Sequence, residues 1–141
     1  MRLSVQTDYA LRTLMYLAAH EGHHSIAEIA RRYGISKNHL MKVAQRLAAE
    51  GFIDSVKGRN GGLLLHQPAE RINVGHVVRT FEDHGAFVQC FDAGDGDCVV
   101  TPVCGLRHIL ADGIEAFLRH LDGFTLADLV DDKARFLSVW Q

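Results

Sequence analysis

The length and composition of the chain exclude several classes of protein. Its 141 residues are 48% hydrophobic and 23% charged, which is ordinary for a globular protein and argues against a disordered chain. No apolar run approaches the ~20 residues that a membrane-spanning helix needs, and no secretory signal is evident. We therefore expect a cytoplasmic protein with no membrane partner.

Charge is distributed unevenly between the two halves of the sequence. Residues 1–66 carry nine Lys/Arg and five Asp/Glu, a net charge of +4, whereas residues 67–141 carry six and twelve, a net charge of −6. Because polyanions are attracted to clustered basic side chains, any such partner is expected to meet the N-terminal half. The asymmetry is modest and supports DNA binding only together with a suitable fold.

Two helices are predicted at the start of the chain. Apolar residues at helical spacing predict a first helix over residues 8–20, with Thr7 or Asp8 as its N-cap. Ser25 begins a second helix, and Glu28 three residues later completes the pattern of a capping box.

A third helix follows a short turn and completes a helix-turn-helix. The second helix ends at Gly34, and an amphipathic helix is predicted over residues 37–50. Two short helices joined by a turn of three or four residues that contains Gly form this motif, whose second helix reads the major groove. The polar residues expected on its DNA-facing side are Ser36, Lys37, Asn38, His39, Lys42, Gln45 and Arg46.

A basic β-hairpin is predicted directly after the third helix. Apolar runs flank residues 57–62, K-G-R-N-G-G, and Asn-Gly between such runs is a strong hairpin signal. A hairpin in this position is a wing, and we expect Lys57, Arg59 and Asn60 to contact DNA, with the Arg59 guanidinium entering a narrow minor groove. The wing favours DNA binding over the simpler interpretation of the third helix as a solvated charged face.

The second half predicts a linking helix, a cysteine-rich loop and a long amphipathic helix. Asn73 is placed to cap a fourth helix. Apolar residues recur at helical spacing from Leu106 to Leu121, a seam long enough to pair with a second copy of the chain. A last short helix begins near Thr125. The tail is expected to fold back on the body through Phe136, Leu137 and Trp140.

The fold class predicted is mainly α with a small β-hairpin wing, a winged helix-turn-helix domain followed by a long dimerisation helix. We expect a DNA-binding domain at residues 1–70, a linking helix and cysteine loop at 71–104, and a dimerisation helix with the C-terminal tail at 105–141.

All three cysteines, Cys90, Cys98 and Cys104, lie in one short segment. An odd number argues against a disulfide framework, and clustered thiols in a reducing compartment indicate metal or redox chemistry. Thiolates are the soft ligands that hold iron–sulfur clusters. Spacers of seven and five residues fit poorly to the closely spaced cysteine pairs of zinc sites, so a cluster is favoured, and a zinc site completed by a His or Asp remains the alternative.

Five features in a fixed order resemble a known family. They are T-D-Y-A-L-R at 7–12, S-K-N-H at 36–39, K-G-R-N-G-G at 57–62, the three cysteines, and F-T-L-A-D-L-V at 124–130. This set is similar to the winged-helix iron–sulfur transcription regulators, a family that includes IscR, and most similar to its nitric-oxide-sensing, NsrR-like branch. The resemblance covers nearly the whole chain.

The resemblance implies a homodimer that binds a palindromic operator in double-stranded DNA and carries a 2Fe–2S or 4Fe–4S cluster. Its ligands carry over onto Cys90, Cys98 and Cys104, with Asp8 of the partner subunit as the fourth. In IscR a histidine three residues after the last cysteine takes that role, but Arg107 stands there in this sequence. The resemblance further implies a repressor that releases DNA when its effector, nitric oxide, attacks the cluster.

Two alternatives remain open from the sequence. One is a regulator of the same family that senses cluster supply or redox state. The other, from a different class, is a small zinc hydrolase that uses the H-E-x-x-H pattern of His20, Glu21 and His24. Gly22 and the Ser25 cap place this pattern across a helix end, so the two histidines are not expected one turn apart on one helical face. We expect no enzyme activity.

Overall fold

The computed structural model describes residues 2–59, 61–83 and 98–140; the predictions for Asn60 and Cys90 lie outside the described residues. Its α-helices and strands are α1 (Val5–Ala19), α2 (Ile26–Tyr33), α3 (Lys37–Ala49), β1 (Ile53–Val56), β2 (Gly62–Leu65), α4 (Val74–Phe81), α5 (Gly105–Leu121) and α6 (Lys133–Ser138). Short 3-10 turns lie at Ala69–Arg71, Thr101–Val103 and Ala127–Val130. The predicted fold class, mainly helical with a two-stranded hairpin, is confirmed. Within the described ranges, no helix is long and apolar enough to cross a membrane.

Helix α1 begins earlier than its apolar pattern predicts. Ser4 is the N-cap, and its Oγ accepts a hydrogen bond of 3.1 Å from the Thr7 backbone N–H. The prediction that Thr7 or Asp8 caps this helix is therefore wrong. The helix was predicted from apolar residues that recur along its buried face. Val5 is 53% exposed and does not belong to that face, so the first turn was not predicted.

The helix-turn-helix forms as predicted. The Ser25 Oγ accepts from the Glu28 N–H (3.1 Å), and Gly34 ends α2 in the left-handed conformation with φ of 64°. Only half of the capping box forms, because the Glu28 carboxylate accepts from the Tyr16 hydroxyl (3.0 Å) rather than from the Ser25 N–H. The buried side of α3 is formed by Leu40, Val43, Ala44 and Leu47.

Helix α1 lies at the centre of the packing. It contacts α3, α4, α6, strand β2 and the 3-10 turn that precedes α6. Its Ala10 and Leu14 are fully buried, and burying a side chain the size of leucine contributes about 1.5–3 kcal/mol. The same helix therefore supports both the helix-turn-helix and the C-terminal elements.

The wing is attached to the start of α2. Its strands pair in antiparallel register from Ile53–Leu65 to Val56–Gly62. Strand β2 also bridges to His24, whose N–H donates to the Leu63 carbonyl (3.1 Å) and whose carbonyl accepts from the Leu63 N–H (2.8 Å). A Cβ on Gly62 would lie 2.9 Å from the His24 backbone, so this close approach requires glycine.

The tail folds back on the body, as predicted. Phe136 and Leu137 pack against the core, and the Trp140 ring lies 4.9 Å from that of Tyr33 between centroids. The Arg32 guanidinium donates to the Trp140 carbonyl at 2.8 Å. This contact joins the chain end to α2 of the helix-turn-helix.

Helix α4 is joined to the end of α5. Asn73 caps α4 as predicted, its Oδ1 accepting from the His76 N–H at 2.9 Å, and its side-chain amide also donates to the Asp122 carbonyl (2.8 Å). Arg79 completes the joint with a two-pronged ion pair to the Asp122 carboxylate.

Candidate DNA-binding surface and cysteine segment

The N-terminal part of α3 presents polar side chains to solvent. Ser36 occupies the N-cap position, but its side chain makes no capping hydrogen bond, so its hydroxyl is available to an external partner. No acidic residue lies in the first turn of α3, and the first N–H groups of a helix attract anions. The exposed side chains that follow Ser36 are Lys37, Asn38, His39 and Lys42. The arrangement is suited to contacts with phosphates and base edges.

The wing adds a second basic surface. Lys57 and Arg59 are exposed in the segment that connects β1 to β2. Gly58 has a φ of 116°, and its carbonyl accepts from the Gly61 N–H at 3.0 Å. A turn therefore places both cations at the tip of the hairpin, where a wing meets the backbone or minor groove of DNA.

Arg46 does not lie on the exposed face of α3, and the prediction that placed it there is wrong. It is half-buried, and its guanidinium donates to the Gln6 Oε1 (3.4 Å) and to the Thr80 carbonyl. The same group lies 4.6 Å from the centroid of the Phe81 ring. Spacing alone puts Arg46 one turn from Lys42, but α4 draws its side chain inward.

Two thiols lie in the segment that leads into α5. Cys98 is exposed, Cys104 is half-buried, and both are free of disulfides. The Cys98 carbonyl accepts from the Thr101 N–H (3.0 Å), and a 3-10 turn leads to Cys104, which is the N-cap of α5 without a capping side-chain bond. The two cysteines thus lie on either side of a compact turn.

The donor chemistry of this segment fits an iron–sulfur cluster. Thiolates suit such clusters, and the positive end of α5 favours a negatively charged group beside Cys104. In the part of the chain that the structure describes, no group of three His, Cys, Asp or Glu side chains could hold a metal ion. A metal or cluster held by Cys98 and Cys104 would therefore need further ligands from outside the described residues or from a second copy.

Asp8, the predicted fourth ligand, is engaged within its own helix. Its carboxylate is 44% exposed and accepts two bonds from Arg12, Nη2 to Oδ2 at 2.9 Å and Nε to Oδ1 at 3.0 Å. No hydrogen bond or ion pair among the described residues joins Asp8 to Cys98 or Cys104. To bind a metal, the carboxylate would have to exchange part of its contact with Arg12.

The H-E-x-x-H pattern forms a packed cluster instead of a hydrolase site. The His20 Nδ1 lies 2.9 Å from the Tyr16 carbonyl oxygen, and the His20 ring stacks on that of Tyr16 at 3.9 Å. The His24 Nε2 lies 3.0 Å from the Glu21 carbonyl oxygen. Burial alone would raise the pKa of Glu28, but hydrogen bonds from Tyr16 and His24, together with neighbouring positive charge, lower it overall. The imidazoles are thus held by neighbouring backbone and aromatic groups.

A winged helix-turn-helix with a basic reading helix and a basic wing is the architecture of a DNA-binding transcription regulator. A family model described as "Rrf2: Iron-dependent Transcriptional regulator" matches residues 3–132, and the chain belongs to this family. The resemblance of the sequence to this family of winged-helix regulators is thereby confirmed.

Relatives named HTH-type transcriptional regulator NsrR match most of the chain. The one from Bacillus subtilis is 48% identical over 135 residues, covering 94% of this chain and 92% of its own. The one from Geobacillus kaustophilus is 44% identical over 141 residues, covering 99% and 96%.

Solved structures of regulators share the fold. T. potens IscR superposes with a TM-score of 0.75 at 26% identity, covering 94% of this chain and 88% of its own. The oxidized form of Staphylococcus aureus CymR gives a TM-score of 0.72 at 27% identity, covering 92% and 95%.

Proposed function

We propose that the protein is a homodimeric repressor that senses nitric oxide through an iron–sulfur cluster held by Cys90, Cys98 and Cys104. It binds a palindromic operator while the cluster is intact and releases it when nitric oxide attacks the cluster. The observation that carries the proposal is the pair of free, accessible thiols at the start of α5 in a chain that belongs to this regulator family.

Each ligand has a distinct part in this proposal. The three cysteines supply thiolates, and Asp8 of the partner subunit supplies a carboxylate, a hard ligand that is poorly matched to the iron it would bind. The cluster, when bound, supplies an iron that nitric oxide can reach. Arg12 bonds both oxygens of the Asp8 carboxylate on α1, so one of these bonds would open for the carboxylate to bind iron.

The DNA contacts divide between the two basic surfaces. Residues 36–39 would read the major groove from the N-terminal end of α3, and Lys42 and Lys57 would contact phosphates. Arg59, with Asn60 beside it, would enter the flanking minor groove. A two-fold dimer would place its half-sites about one helical turn apart or a multiple of that spacing.

The exposed apolar stripe of α5 supports the dimer. Leu106 and Ile109 are 60% and 68% exposed, and Leu118 is the one buried residue of this helix within the chain. Val99 and Val103, just before the helix, are exposed as well. Exposed apolar side chains concentrated in one segment mark a site of association, and a second copy of the same helix would cover them.

The cluster is tested by anaerobic purification followed by analysis of iron, sulfide and zinc. The proposal predicts a brown protein that contains iron and sulfide, and loss of both in Cys98→Ser and Cys104→Ser variants that keep the helical circular dichroism of the wild type. A colourless, zinc-loaded wild-type protein would contradict it.

A regulator that senses redox state or cluster supply is the second candidate. The exposure of Cys98 favours it, because an accessible thiol is open to oxidants as well as to nitric oxide. Anaerobic nitric oxide and dissolved oxygen, applied separately to the cluster-loaded protein bound to DNA, distinguish the two. Release by oxygen alone would support the second candidate.

A further inference from the structure

We propose that Arg46 is the positioning residue that couples the cysteine-bearing segment to the recognition helix. The proposal rests on the function proposed above and names the contact through which that regulation acts. Gln6, Arg46, Thr80 and Phe81 form this contact, which is called the Arg46 junction below.

The junction ties three helices together through one side chain. Arg46 lies in the last turn of α3. Its guanidinium donates to Gln6 of α1 (3.4 Å) and to the Thr80 carbonyl of α4, and covers the Phe81 ring at 4.6 Å. The planar guanidinium makes both directed bonds and a ring contact, and neither lysine nor an apolar residue can reproduce this combination.

The junction lies where the chain leaves α4 for the first cysteine. Phe81 is the last residue of α4 and is 4% exposed, and Cys90 follows nine residues later. The next residue, Glu82, accepts from the Ser4 N–H at 2.7 Å. A change in the cysteine segment that moves the end of α4 therefore acts on α3 through Arg46 and on the start of α1 through Glu82.

The surroundings allow the guanidinium to rearrange. An open cleft of about 520 Å³ lies beside it, lined by Ser4, Val5, Gln6, Arg46, Phe81, Glu82 and Asp83. The residues of the junction can therefore shift together toward this cleft without displacing packed core residues.

Helix α3 carries the displacement to DNA. Its opposite end holds the Ser36–His39 reading segment, about 12 Å from Arg46 at a rise of ~1.5 Å per residue. Its inner face is buried through Leu40, Val43, Ala44 and Leu47, and a close-packed interior transmits strain because it is hardly compressible. A tilt at the junction therefore changes the angle at which the reading end enters the major groove.

The test compares operator affinity before and after nitric oxide treatment in cluster-loaded wild type, Arg46→Met and Arg46→Lys. Wild type is expected to lose affinity by ~5–150-fold, the range of an allosteric coupling. Arg46→Met keeps a long side chain but removes the guanidinium. In this variant, the operator affinities before and after nitric oxide treatment should agree to within about twofold. Arg46→Lys retains the charge and should also lose most of the response, since lysine cannot make both directed bonds.

Lys42→Met is the matched control, because it removes an exposed cation from the same helix one turn earlier. It should weaken binding in both states and leave their ratio unchanged. If both Arg46 variants are as thermally stable as wild type and show the wild-type ratio of operator affinities before and after nitric oxide, the coupling is overturned. The proposed function would remain intact. If wild type itself shows no response to nitric oxide, the proposed function is overturned and the coupling with it.

Discussion

Ser4, Ser25 and Ser36 each occupy a helix N-cap position, but only two of them act as caps. Ser4 and Ser25 accept backbone hydrogen bonds at 3.1 Å, whereas the Ser36 side chain makes no such bond. A serine at the start of a DNA-reading helix that does not cap it is open to contact with an external partner. Ser36 and Ser25 are therefore expected to differ in their effect on stability.

Replacing Ser25 by Ala should lower the free energy of unfolding by about 1 kcal/mol, the typical cost of a lost N-cap. Ser36→Ala should change it by less than about 0.5 kcal/mol, as for a surface substitution, while weakening DNA binding. Urea denaturation followed by circular dichroism measures both. Equal losses of stability in the two variants would show that Ser36 is a cap after all.

Arg46 shows what sequence periodicity cannot supply. Its spacing from Lys42 places both side chains on one helical face, but the Thr80 carbonyl that binds it lies 34 residues further along the chain. A long, flexible side chain can reach several hydrogen-bond acceptors. Tertiary packing determines which of these acceptors lies close to it. The buried face of α3 was predicted correctly, because apolar side chains at helical spacing lie on one face and that face packs against the core.

At the level of elements, the joint between α4 and α5 depends on Asp122. The hydrogen bonds from Arg79 hold the pKa of the Asp122 carboxyl below its ordinary value of 3.8, and the same ion pair raises the pKa of Arg79. Gly75 permits the close approach, because a Cβ there would overlap the Asp122 carboxylate. The charge of Asp122 is therefore part of how the two helices are held together.

This joint predicts a specific acid sensitivity. A carboxyl whose pKa is lowered by folding stabilises the protein above pH 3.8, and this contribution is lost as the pH falls through the lower, folded value. Asp122→Asn should therefore be less stable than wild type at neutral pH, with the difference shrinking below about pH 4.

Thermal melts between neutral pH and pH 3 measure this effect, with Asp112→Asn as an exposed control on the same helix. The control should follow the wild-type profile. If the melting temperatures of Asp122→Asn and wild type differ by the same amount across that pH range, the ionised Asp122 carboxylate does not stabilise the joint.

The cysteine segment could be predicted as a ligand-bearing loop but not as a complete site. Three thiols in fifteen residues indicate metal chemistry because soft ligands so close together seldom have another use. The remaining ligand cannot be read from spacing, since a residue supplied by a second subunit need not be near the cysteines in sequence. Short structural elements were also missed: α6 has six residues, too few for a periodic pattern.

Across the whole molecule, the exposed stripe of α5 predicts the state of assembly. Ile109→Glu places a charge in the middle of the apolar surface, and desolvating it on association would cost several kcal/mol. Sedimentation or light scattering should show a dimer for wild type and a monomer for this variant. Arg107→Ala, an exposed residue almost opposite Ile109 around the same helix, should remain dimeric. A dimeric Ile109→Glu protein would place the interface elsewhere.

Control of DNA binding by a thiolate-held cluster is tested most directly by one anaerobic titration. Cluster-loaded protein is bound to a fluorescent operator selected from random DNA, and nitric oxide is added while cluster absorbance and DNA anisotropy are followed in the same cuvette. We predict that the two signals fall together, with a loss of affinity of ~5–150-fold. DNA that stays bound with unchanged affinity after the cluster absorbance has been lost would contradict the account.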